Sequence, residues 1–140
     1  MILFIHILFV GIWVGCVLTE ALFERALLHK GRDKELILAN LHWKVDIFIE
    51  VPAFLIVALS GAMLLQSTNF APLILAKISA GMVAILINIF CVKLVYDRKI
   101  AANKEDWQKF EALDKIQHKA GALVLLFQLI AISCGLMVFA

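Results

Sequence analysis

Long apolar runs separated by polar intervals organise this chain. Four runs stand out, at about 2–27, 45–65, 71–96 and 120–140. Each approaches or exceeds the ~20 residues that carry a helix across a bilayer core at ~1.5 Å per residue. Gln66, Ser67, Thr68, Asn69 and Pro72 make a short polar turn between the second and third runs. The other two connections, about 28–44 and 97–117, are longer and hold most of the charge. The pattern predicts an all-α integral membrane protein. One domain over 1–140 folds as an up-down-up-down bundle of four transmembrane helices.

Composition supports this. The chain is 64% hydrophobic and 17% charged, with a mean hydropathy of +0.98, against about 45–50% and about 25% in soluble domains. Nucleic-acid-binding, disordered and disulfide-scaffold classes are excluded on that basis. Cys16, Cys91 and Cys134 are widely spaced inside apolar runs and form no CxxC pair, so they read as small buried residues. The N-terminus lacks a basic n-region, and Trp13 spoils a lipoprotein cleavage box ahead of Cys16, so the first helix reads as retained.

Charge position sets the expected orientation. Of the thirteen Lys and Arg residues, only Lys77 falls outside the two long connections and their flanks. The positive-inside rule then places those connections in the cytoplasm and both termini on the extracytoplasmic side, as in a bacterial inner membrane. Gly11 and Gly15 form a GxxxG pair that suits a homodimer contact. Pro52 predicts a kink in the second helix.

Ionisable groups inside membrane spans are costly, so each is a functional candidate. His6, Trp13, Glu20 and Glu24 fall within about 40° of one another on a helical projection of the first run. His42, Asp46 and Glu50 recur every four residues on the second. Lys77, Ala84 and Asn88 share a face of the third, with Cys91 at its edge. On the fourth, His118 sits at the mouth and Gln128 near mid-span. By depth, His6 and Lys77 form an outer layer roughly 8 Å inside the boundary. Glu20, Glu24, His42, Asp46, Glu50, Asn88 and His118 form an inner one.

Two chemistries suit such layers. A tetrapyrrole needs an apolar slot and one or two axial nitrogens, for which His42 with His118, or His6 with Lys77, are candidates. Asp46 would then orient the His42 imidazole from behind. Alternatively, Glu20, Glu24, His42, Asp46, Glu50 and His118 hold a transition-metal ion such as Fe, Mn or Zn directly. In a third expectation the polar residues only fix helix packing, as in a non-catalytic assembly subunit.

His6 followed by Trp13 resembles the opening helix of the HemJ-type protoporphyrinogen oxidases and the related CopD-like membrane proteins. The third run, in which Lys77 follows Leu73, resembles the HemJ-type helix opened by a lysine. Trp107-Gln108-Lys109-Phe110-Glu111-Ala112-Leu113 is similar to that family's segment before its next span, and Val51-Pro52 through Gly61 to its second span. The resemblance implies haem b, with the family's important histidine and lysine falling on His6 and Lys77. It also implies a redox role, as an oxidoreductase of a porphyrin-type substrate or in electron transport, with a redox partner or a porphyrin- or quinone-type molecule. The chain departs from the family in lacking a span beyond Ala140, in the displacement of Arg25 toward the connection, and in the His42, Asp46, Glu50 stripe.

The orientation has a direct test. A reporter fused after Ala140 should behave as extracytoplasmic, and a cytoplasmic reading at both termini overturns it.

Overall fold

The computed structural model describes residues 1–65 and 71–139. They form α1 (Ile2–Leu27), α2 (Arg32–Val45), a π-helical turn (Asp46–Glu50), α3 (Val51–Leu65), α4 (Pro72–Asn103) and α5 (Trp107–Phe139), with no strand among the described residues. Because α2, the π turn and α3 run on without a break, four helices are long and apolar enough to cross a membrane: Ile2–Leu27, Arg32–Leu65, Pro72–Asn103 and Trp107–Val138. This is the all-α four-helix membrane bundle that the apolar runs predict. The polar turn expected at 66–69 and the last residue, Ala140, lie outside the described residues. Pro72 takes the first position of α4, where a missing N–H breaks no helical bond.

The charged connections differ from the sequence reading. They shrink to 28–31 and 104–106, and the remainder is helix. Helices can continue past the hydrocarbon boundary because Lys, Arg, Glu, Leu and Ala are all good helix formers. In these two short connections the backbone takes positive φ at His29 (59°), Gly31 (113°) and Glu105 (59°). Arg32 then ties the two turns together. It donates to Glu35 and to Glu111, both at 2.8 Å, and lies 4.7 Å over the Trp107 ring. Both polar connections therefore sit at one end of the bundle.

The irregularity expected at Pro52 is a widened turn just before it. The Val51 N–H reaches back to the Asp46 carbonyl, a five-residue step that absorbs the missing proline donor. The same turn carries Asp46 and Glu50 to the interior, where they are 1% and 3% exposed.

The helices pack unevenly. α4 and α5 lie together along much of their length, α1 rests mainly on α3, and α2 rests on α4, whereas α1 and α5 meet only briefly. Small residues let the backbones approach, and Ala39, Ala84, Ala101 and Ala102 are all fully or almost fully buried. Large side chains such as Phe4, Phe48, Leu86 and Leu136 point outward, as a lipid-facing surface requires. Gly11 and Gly15 lie on that outer surface, where a Cβ added to either would meet nothing within 4 Å.

Candidate intramembrane ion site

The sparse contact between α1 and α5 leaves a cavity of about 550 Å³. This is within the ~300–1,000 Å³ range of ordinary ligand pockets. Its side walls are apolar, from Val17 and Ala21 on α1 to Val124 and Leu125 on α5, and its floor is polar. The inner layer expected from the stripes is brought together here: Glu20, Glu24, His42, Asp46, Glu50, Asn88 and His118 all line it.

His42 stands at its centre, 5% exposed. Its Nδ1 lies 3.0 Å from Glu24 Oε1. Its Nε2 lies 3.3 Å from Glu20 Oε2 and 3.6 Å from Asp46 Oδ1. Glu20, His42 and Asp46 each place one ligand atom within 4.8 Å of the other two, and all three residues are buried.

Arg98 holds this arrangement in place. Its side chain is fully buried. Nη2 donates to Glu24 Oε1 at 2.5 Å and Nη1 to Asp114 Oδ1 at 2.6 Å. One guanidinium thus spans carboxylates from α1 and α5 in the forked geometry that arginine provides. Arg98 Nη2 also comes within 3.0 Å of His42 Nδ1. Gln117 Nε2 lies 3.3 Å from the same nitrogen, so one carboxylate oxygen and two N–H donors crowd Nδ1.

Several buried atoms have no hydrogen-bond partner among the described residues. Both Asp46 carboxylate oxygens are in this position, as are Glu24 Oε2, Asn88 Nδ2 and Trp13 Nε1. Asn88 and Trp13 face Glu50 without meeting it in hydrogen-bond geometry. A buried carboxylate with no donor is costly, and its occurrence in a native fold calls for an explanation such as an ion or water.

His42 and His118, the inner haem candidates, stand in different surroundings. Both ring nitrogens of His42 already face protein groups. His118 lies at the cavity mouth with its side chain 47% exposed and its Nδ1 3.0 Å from the Asp114 carbonyl. Neither histidine begins a helix, since α2 and α5 start about three turns earlier, at Arg32 and Trp107. Asp46 lies beside the His42 ring on its Nε2 side.

The outer pair is elsewhere. His6 Nδ1 is 3.0 Å from Ser60 Oγ, and a side chain at Gly61 would approach its ring to 3.3 Å. Lys77 runs along Gly135, where an added Cβ would stand 3.4 Å from its Cε, and is within electrostatic range of His6.

Arg98 and Asp114 escape the sequence reading because both fall in an interval that reads as a connection. The signal is present nonetheless. Lys77, Ala84, Cys91 and Arg98 recur every seven residues, one face of a single helix. Truncating Arg98 leaves two buried carboxylates uncompensated, so Arg98→Ala should cost about 3–5 kcal/mol. Arg98→Lys should fall between the two, because it keeps the charge and loses the fork. Thermal or denaturant unfolding in detergent measures both.

Comparison with protein-family models, curated proteins and solved structures finds no match to this chain, so the function is argued from the atoms of the site.

Proposed function

We propose that this protein binds a divalent transition-metal ion within the membrane, using Glu20, His42 and Asp46 as ligands. The supporting observation is that Glu20, His42 and Asp46, all buried, each bring one ligand atom within 4.8 Å of the other two. A proton on Nδ1, facing Glu24, would leave Nε2 to direct a lone pair toward two buried carboxylate oxygens. Something positive belongs between them: a proton in the ion-free protein, a metal ion in the loaded one.

The spacing suits an ion. Ligand atoms bonded at ~2.0–2.1 Å in a tetrahedron stand about 3.3–3.4 Å apart. Glu20 Oε2 and Asp46 Oδ1 lie 3.3 and 3.6 Å from His42 Nε2. One imidazole with two carboxylates favours zinc, iron or manganese over copper(I), which prefers sulfur. Glu50 adds a further carboxyl group on the Asn88 side of the cavity. Glu24, clamped by Arg98, is the outer partner that fixes the tautomer of a metal-binding histidine.

Metal analysis of detergent-purified protein equilibrated with Zn²⁺, Mn²⁺ or Fe²⁺ should find one of them at one ion per chain. The His42→Ala and Asp46→Asn variants should lose it, and Glu24→Gln should bind about 10–100-fold more weakly. Absence of any bound ion, or full occupancy in a His42→Ala, Asp46→Asn double variant, refutes the reading.

A second reading keeps haem b at the outer layer, and one observation favours it. Ser60 donates its hydroxyl proton to the Ile56 carbonyl at 2.5 Å, so it accepts from His6 Nδ1. With Nδ1 on Ser60, Nε2 is the His6 nitrogen that would serve as a single axial ligand. A haem held there, beside Lys77, would supply one-electron chemistry. If so, purified protein shows a Soret band that His6→Ala abolishes and His29→Ala preserves, since His29 lies exposed in the turn after α1. Equal haem content in the two variants removes His6 as a ligand.

A further inference from the structure

The cavity is open at one end and closed at the other. Toward the polar connections its rim carries Arg25, His29 and His118, all exposed. In the opposite direction it stops beyond Glu50 and Asn88. There Trp13 and Phe54, with ring centroids 6.0 Å apart, join Val57 and Ala84 in one buried apolar cluster, against which Phe127 of α5 packs. Farther along α5, Gln128 is buried with its amide unpartnered among the described residues, but one neutral amide cannot replace the hydration shell of a divalent ion.

Past this layer the charge changes sign. His6 and Lys77 lie in the half of the bundle away from the connections. None of the eleven acidic residues does, since α1 has none before Glu20, and none occurs between Glu50 and Asp97 or after Asp114. A cation leaving Glu50 in that direction would meet a packed aromatic layer and then an uncompensated ammonium in a low-dielectric surrounding, where charges are poorly screened. In the other direction it meets Glu24 and a wet rim, where water and salt screen the exposed Arg25.

We propose that the ion exchanges only with the side of the membrane that carries the two polar connections. The protein therefore holds a cation and does not conduct it. This inference rests on the ion reading above and is tested so that the two fail separately. Cys91 lines the cavity and serves as a native reporter. The full-length protein is reconstituted in vesicles of known orientation and exposed to a small membrane-impermeant thiosulfonate from either side. The modified peptide is identified by mass spectrometry, with Cys91→Ser as the control. Cys91 should react only from the side of the polar connections, and Zn²⁺ at ten times its dissociation constant should slow that reaction about tenfold. A zinc-sensitive dye trapped in the vesicles should report no entry above protein-free vesicles. Reaction of Cys91 from both sides, or zinc entry through the protein, overturns the inference. One-sided reaction that zinc fails to slow supports the access route while refuting the ion.

Discussion

A single guanidinium sets the register of this bundle. Arg98, on α4, reaches Glu24 on α1 and Asp114 on α5, and through Glu24 it fixes His42 on α2. In a bilayer the hydrophobic effect does not draw one helix toward another, because lipid tails are as apolar as leucine. Close packing and polar contacts must do it. A buried arginine with one partner would be a liability, but two carboxylates from different helices give it a defined position. Those partners in turn cannot move without stranding the guanidinium. The weak contact between α1 and α5 is tolerable because this bridge crosses the gap between them, and the cavity exists because little else does.

The bridge also creates an imbalance. Glu20, Glu24, Asp46, Glu50 and Asp114 are all buried, and among the described residues Arg98 is the one buried lysine or arginine beside them. Glu24 and Asp114 take up that charge. Glu20, Asp46 and Glu50 are left with the His42 imidazole, an asparagine amide and an indole N–H. A fold designed only for stability would have replaced such groups with apolar ones of similar volume. Their presence in the buried interior of the bundle is the physical reason to treat them as candidates for function.

Much of this is legible in the sequence, for a simple geometric reason. Helical periodicity maps Glu20 and Glu24, or His42, Asp46 and Glu50, onto one face whatever the neighbouring helix does. The four spans and the membership of the inner layer follow from that alone. What periodicity does not supply is where a helix stops once its residues turn polar. Arg98, Asp114 and Gln117 read as parts of a connection when charge is equated with loop, whereas α4 and α5 run on through them. Nor can it supply partners. His42 and His118 fall at a similar depth, yet each is turned toward a carboxylate on its own side of the cavity. The π turn is a third case. Pro52 announces a disturbance, but only the fold shows that the disturbance widens the helix over Asp46–Glu50 and so sets the aim of two acidic groups.

The two polar layers are chemically independent. Between His6 and Glu20 on the same helix lies Trp13, 3% exposed and packed against Phe54. Its indole N–H faces Glu50 while its ring seals the route toward His6. One residue thus turns its N–H toward the acidic cavity and packs its ring between that cavity and the half that holds His6 and Lys77. The bundle is asymmetric along its axis because all of its acidic side chains lie on one side of that wall. The ion reading proposed above concerns the inner half, and the haem reading the outer. The sign of the ionisable groups on either side of Trp13 is what separates the chemistry open to the two halves.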